Sequence, residues 1–146
     1  MFRLVVVSTA ILAAAPLWAQ EVPSLPLRLE FDPAATAALT AAGEKVVVSA
    51  WFYGPPASKW IGADEMGLTT VRLEEITVDP VDQTVQLGEH ISAIAMDWVA
   101  KPFLNVNVYS ARQSSSDNIL DCGMIDEPLG RVRQRDAVIS CTLLDY

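Results

Sequence analysis

The run Val46-Val47-Val48-Ser49-Ala50-Trp51-Phe52-Tyr53 decides how this sequence is read. β-Branched residues lead and aromatic residues follow, a composition that suits a pleated strand. Side chains alternate between the two faces of a strand. Val46, Val48, Ala50 and Phe52 therefore share one face, and Val47, Ser49, Trp51 and Tyr53 share the other. Both faces are apolar for most of their length, which places the strand in the middle of a sheet. One face is expected to be core. The other is expected to be covered by the helix or loop nearby, or else to offer a patch to a partner. Gly54-Pro55-Pro56 ends the run.

On its N-terminal side, Asp32-Pro33 opens an alanine-rich segment that stops at Gly43. Asp is a favoured N-cap, Pro a favoured first helical residue and Gly a favoured terminator. One short helix is predicted over 33–42. Before it, Leu25, Leu27, Leu29 and Phe31 alternate with Pro26, Arg28 and Glu30, which reads as a first strand.

On the C-terminal side, a long loop from Gly54 to about Gly67 carries Lys59, Trp60, Asp64 and Glu65. Long loops in small domains are often functional, so Trp60 joins Trp51 and Tyr53 as a candidate partner-binding residue. Further strands are predicted over 68–78, with Val71, Leu73 and Ile76 pointing inward, and over 84–87 and 91–99. Another runs over 103–109, with Leu104, Val106 and Val108 on one face.

Cys122 and Cys141 are the only cysteines. Placed opposite each other in an antiparallel hairpin, they set Leu120 against Leu143 and Met124 against Ile139. All six residues then share one apolar face, while Asp121, Gly123, Ser140 and Thr142 face solvent. A disulfide between Cys122 and Cys141 is predicted as the staple of a C-terminal hairpin. Close Cys-x-x-Cys spacing, the mark of a redox pair, is absent.

About seven short strands with frequent turns point to an all-β sandwich, immunoglobulin-like or transthyretin-like, with one helix and the stapled hairpin. Met1-Phe2-Arg3, an uncharged stretch to Ala15, Pro16 and the small Ala19 have the order of a secretory signal. The expectation is a signal peptide over 1–19 and a single domain over 20–146, periplasmic or secreted. No later stretch reads as a membrane segment. Without Arg3 the basic residues number nine, against eighteen acidic ones. Such a balance disfavours nucleic acid and anionic lipid as partners and favours a cationic protein, if any.

Motifs for chemistry are sparse. His90, the one histidine, follows Gly88-Glu89 at a turn, and no Gly-x-Ser-x-Gly elbow accompanies it. One histidine and a bridged cysteine pair cannot assemble the usual zinc set. The oxygen-bearing groups Asp117, Asn118 and Asp121, or Asp79 and Asp82, lack EF-hand spacing. No metal, cofactor or catalytic residue is assigned. Glu74-Glu75 and Asp126-Glu127 are sequence neighbours, so within strands each pair splits across two faces. Arg131, Arg133 and Arg135 share one parity at the expected hairpin tip. They suit either a grip on a phosphate or carboxylate or a charged edge that resists strand pairing.

The function expected from these features is a non-catalytic binding or interaction module, with Trp51, Tyr53, Trp60, Arg131, Arg133 and Arg135 as its candidate contacts. The alternatives are an inhibitor or immunity-type protein against a basic exported enzyme such as a lysozyme-like hydrolase, and a carboxylate-dependent hydrolase.

Overall fold

The computed structural model describes residues 20–144; the expected signal segment 1–19 lies outside them. The central strand is where its composition places it. β2 (Val46–Gly54) runs between β3 (Thr69–Val78) and β5 (Phe103–Ser110), and β7 (Ile125–Pro128) completes this second sheet. The first sheet has the order β4 (Gln83–Leu87), β1 (Leu25–Phe31), β8 (Ala137–Leu143), β6 (Leu120–Cys122). The two four-stranded sheets pack as a sandwich.

Alternation explains which residues meet in the middle. Leu25, Leu27, Leu29 and Phe31 of β1 are buried, and so are Val46, Val48, Ala50 and Phe52 of β2 and Leu104, Val106 and Val108 of β5. These residues form one core with Leu87, Leu120 and Ile139. Burying each large apolar side chain contributes about 1.5–3 kcal/mol. β1 and β8 pair in parallel, Leu29 beside Ile139, while every other strand pairing is antiparallel.

The helix α1 (Pro33–Ala42) has the predicted bounds. Asp32 caps it, its carboxylate accepting from the Ala35 N–H at 2.6 Å, and Gly43 ends it at φ 63°. Its single large apolar side chain, Leu39, is fully buried. Beyond Gly43 lies Glu44, a buried carboxylate. Glu44 accepts hydrogen bonds from the N–H groups of Lys45, Gln113 and Ser114 and from the Ser114 hydroxyl. It ties the 111–119 loop to the start of β2.

Four expectations are corrected. First, residues 91–99 are not a strand. Ser92 accepts from the Ala95 N–H and caps a single turn, α2 (Ala93–Met96), so local capping overrides the alternation. Second, Leu73 faces outward and is 63% exposed. Val71, Ile76 and Val78 pack against the core. The β2–β3 register shift between Phe52 and Tyr53 changes the parity at Val71, so Glu74 rather than Leu73 shares the inward side with Ile76 and Val78. Third, the stapled hairpin is only partly a hairpin. Leu120 does face Leu143 and Cys122 faces Cys141, and the disulfide is formed. Met124 does not face Ile139: the chain leaves the first sheet after Cys122 and adds β7 to the second, and Met124 is exposed. The corner exists because Ile125 finds a buried place opposite Val106 of β5. Fourth, Arg131, Arg133 and Arg135 are not three residues on one strand face. Leu129–Val132 forms a helical turn, α3, with Leu129 and Val132 buried, and this sets Arg131 apart from Arg133 and Arg135, which lie at and beyond its end. α2 and α3 also bring the helices to three among the described residues.

Candidate functional site

Two loops of the second sheet leave from one end of the sandwich. Tyr53 is paired with Phe103 and Gly54 with Thr69, so the 55–68 loop and the 97–102 segment emerge side by side. They are stitched together: the Ala57 N–H donates to the Trp98 carbonyl, and the Ala100 N–H to the Pro55 carbonyl. α3 reaches the same end through the Leu129 N–H, which donates to the Pro102 carbonyl.

The 55–68 loop is internally bonded. The Asp64 carboxylate accepts from the N–H groups of Met66 and Leu68, and the Thr69 hydroxyl donates to the Gly62 carbonyl. Trp60 sits on this ordered loop with 85% of its surface exposed. The Lys59 ammonium lies 4.9 Å from its ring centroid, a cation–π contact. Met66 is also exposed, as are Ile94 and Trp98 on and just beyond α2. Ile94 lies on the turn and Trp98 in the segment that follows it. Asp64, Glu65 and Asp97 are exposed acids on the same loops. This end of the molecule therefore combines bare apolar rings with charges of both signs, Lys59 and Lys101 among the acids.

Trp51 and Tyr53 lie elsewhere, on the outer face of the second sheet. Their rings stack at 4.1 Å, and Phe103 extends the row, 5.7 Å from Tyr53. Stacked rings hide their faces and offer edges to solvent, so both residues are half-buried. Their polar atoms are engaged as well: the Trp51 Nε1–H donates to Thr70, and the Tyr53 hydroxyl donates to Asp126 at 2.7 Å. Burial and the Asp126 carboxylate together push the Tyr53 phenol up to about 12. Burial and Glu75 likewise raise the Tyr109 phenol, against the opposing pull of Arg112. The row reads as a self-covered surface, and of the three aromatic candidates Trp60 is the one that is open.

The adjacent carboxylates are separated. Glu74 points inward and accepts from the Gly88 N–H, while Glu75 points outward to the Tyr109 hydroxyl. Asp126 holds Tyr53, and Glu127 holds Arg135 at 2.7 Å. His90 sits at a turn with φ 62°, its Nδ1 at 3.2 Å from both oxygens of Glu21. Asp79 is paired with Lys45, and Asp82 accepts from the Phe31 N–H. Among the described residues no three potential metal ligands gather, and no helix is long and apolar enough to cross a membrane.

Sequence reasoning missed Glu44, Trp98 and Arg28. Trp98 was hidden by the strand reading of 91–99, and Ser92 before an alanine-rich turn was the available signal. No family model, no curated protein and no solved structure matches the chain.

Proposed function

We propose that this chain is a non-catalytic binding module, exported to the periplasm or beyond, that engages a protein partner through the loop carrying Trp60. The carrying observation is the exposure of Trp60 on a loop whose own hydrogen bonds hold it in place. Leaving a tryptophan in water forgoes about 1.5–3 kcal/mol or more of burial energy, which a partner's surface can recover. Aromatic anchors of this kind dominate binding energy at protein interfaces. The disulfide suits an oxidising compartment.

The net charge of the chain as a whole, formally −8, supports a cationic partner. The loops themselves carry both signs, Lys59 and Lys101 beside Asp64, Glu65 and Asp97. Opposite charge speeds encounter and orients the partner. A basic exported enzyme fits this chemistry, so inhibition of such an enzyme is the second reading.

Affinity capture with the intact chain, run beside Trp60→Ser and at low and high salt, tests the proposal. The expected result is one basic protein retained by the wild type, weakened by salt and lost with Trp60→Ser. Equal capture by both proteins would remove the loop from the interface.

A further inference from the structure

We propose a second site, independent of the Trp60 loop: an oxyanion-binding cleft on the outer face of the first sheet, built on Arg28, Arg133 and Arg135. The cleft has a volume of about 480 Å³. Its floor is the sheet, where Arg28 of β1 stands in register between Thr84 of β4 and Val138 of β8. Leu27 and Leu29 point into the core, so Arg28 points out. Its wall is the turn after α3, which carries Arg133, Arg135 and Asp136. Arg131 lies on α3 and does not line it.

Each guanidinium is held by a bond of its own. Arg133 donates to the Pro23 carbonyl at 2.6 Å, Arg135 to Glu127 at 2.7 Å, and Arg28 lies 3.1 Å from Glu30. A guanidinium has five N–H donors in a rigid fork, so these bonds orient the groups and leave donors over. Glu30 and Glu127 offset the charges of Arg28 and Arg135. Arg133 is bonded to a neutral carbonyl, and its full charge is available to the cleft. Asp136 opposes it, which limits the ligand to one compact anionic group rather than a polyanion. Carboxylate and phosphate are the groups whose oxygens match the fork. The ligand class is a small molecule bearing one such group, and the cleft's volume lies within the range usual for small-ligand sites.

The test is a titration of the isotope-labelled chain with sodium phosphate and, separately, sodium acetate, followed by NMR. Sodium chloride at matched ionic strength is the control. The expected result is saturable shifts at the amides of Arg28, Thr84, Arg133 and Arg135 with at least one oxyanion and not with chloride. The tighter of the two salts names the group. Arg133→Gln weakens this binding about tenfold or more, and Arg131→Gln leaves it unchanged. Should Arg133→Gln fail to fold through loss of the Pro23 contact, Arg28→Gln carries the same comparison. Shifts that match chloride, that grow without saturating or that survive both variants would overturn the proposal. Trp60→Ser is expected to bind the anion as the wild type does, so this site and the Trp60 interface stand or fall separately.

Discussion

The Glu44 carboxylate accepts hydrogen bonds from the Ser114 N–H at 2.7 Å and from the Ser114 hydroxyl at 2.6 Å, seventy residues away in sequence. Hydrogen bonds to a charged group contribute about 1.5–3 kcal/mol, and leaving their donors buried and unpaired costs as much again. Glu44→Gln is therefore expected to destabilise the fold by about 2 kcal/mol, read from urea unfolding.

The same contact sets an acid dependence. Burial alone would raise the Glu44 pKa, but the bonds from Ser114, Gln113 and Lys45 outweigh it, and the carboxyl is held below its ordinary value of 4.5. A carboxyl with a depressed folded pKa stabilises the fold fully above its unfolded pKa. That stability is lost as the pH falls through the folded value. Unfolding midpoints measured from neutral pH downward should decline in this window for the wild type. Glu44→Gln should flatten the decline; an unchanged profile would assign the acid sensitivity to other carboxylates.

Gly88 adopts φ 70°, and a Cβ placed there would come within 2.8 Å of the Phe52 ring. Gly88→Ala combines left-handed strain with overpacking and is expected to cost about 2–4 kcal/mol. Gly43 has a similar φ of 63° with nothing within 4 Å of the added carbon. Gly43→Ala should cost only the strain, about 1 kcal/mol. Equal losses in the two variants would show that the Phe52 contact yields.

The disulfide closes a sequence separation of 19 residues, worth about 3 kcal/mol in the chain-entropy account. Reduction is expected to lower the thermal midpoint while far-UV circular dichroism at room temperature stays that of a β protein. The core spans both sheets, and the bridge supplies only Cys141 to its buried residues, with Cys122 packed against them. Unfolding under mild reduction would show that the core is weaker than its burial implies.

Trp60→Ser is expected to change stability by less than about 0.5 kcal/mol, because the side chain contributes little buried area. Leu39→Ala, at a fully buried position, should cost about 2–5 kcal/mol. A large loss from Trp60→Ser would mean that the loop is packed in solution, and it would weaken the case for an interface there.

Tyr53 should keep its proton well above the usual tyrosine range, titrating near 12. A phenol with a raised folded pKa stabilises the fold below its unfolded value and loses that contribution as the pH rises through the folded one. Asp126→Asn removes the charge that Tyr53 faces. Phenolate absorbance should then appear at lower pH, whereas an unmoved titration would leave burial as the sole cause.

Local rules sufficed for much of this. Asp32, Pro33 and Gly43 specify the ends of α1 through capping chemistry, and the period of two identifies the inward residues of β1, β2 and β5. The parity of Leu120, Cys122, Cys141 and Leu143 was enough to set the register of β6 against β8. It failed one step later, at Met124, because alternation carries no information about which sheet a strand joins. Ile125 could be buried in either sheet, and only Val106 of β5 decides where.

The candidate sites divide in the same way. A tryptophan in a long loop is visible as a candidate in the sequence, because the loop is a local feature. That Trp60 is bare while Trp51 and Tyr53 shield each other depends on how rings pack across strands. The arginine cleft is less legible still. Arg28 and Arg133 are more than a hundred residues apart, and the parallel β1–β8 pairing brings them together. Sequence alone determined the periodicity, the caps and the staple, since these rest on neighbours within a turn or a strand pair. Sheet order, the corner after Cys122 and the meeting of distant side chains were decided by burial of the whole core, a property that no short stretch contains.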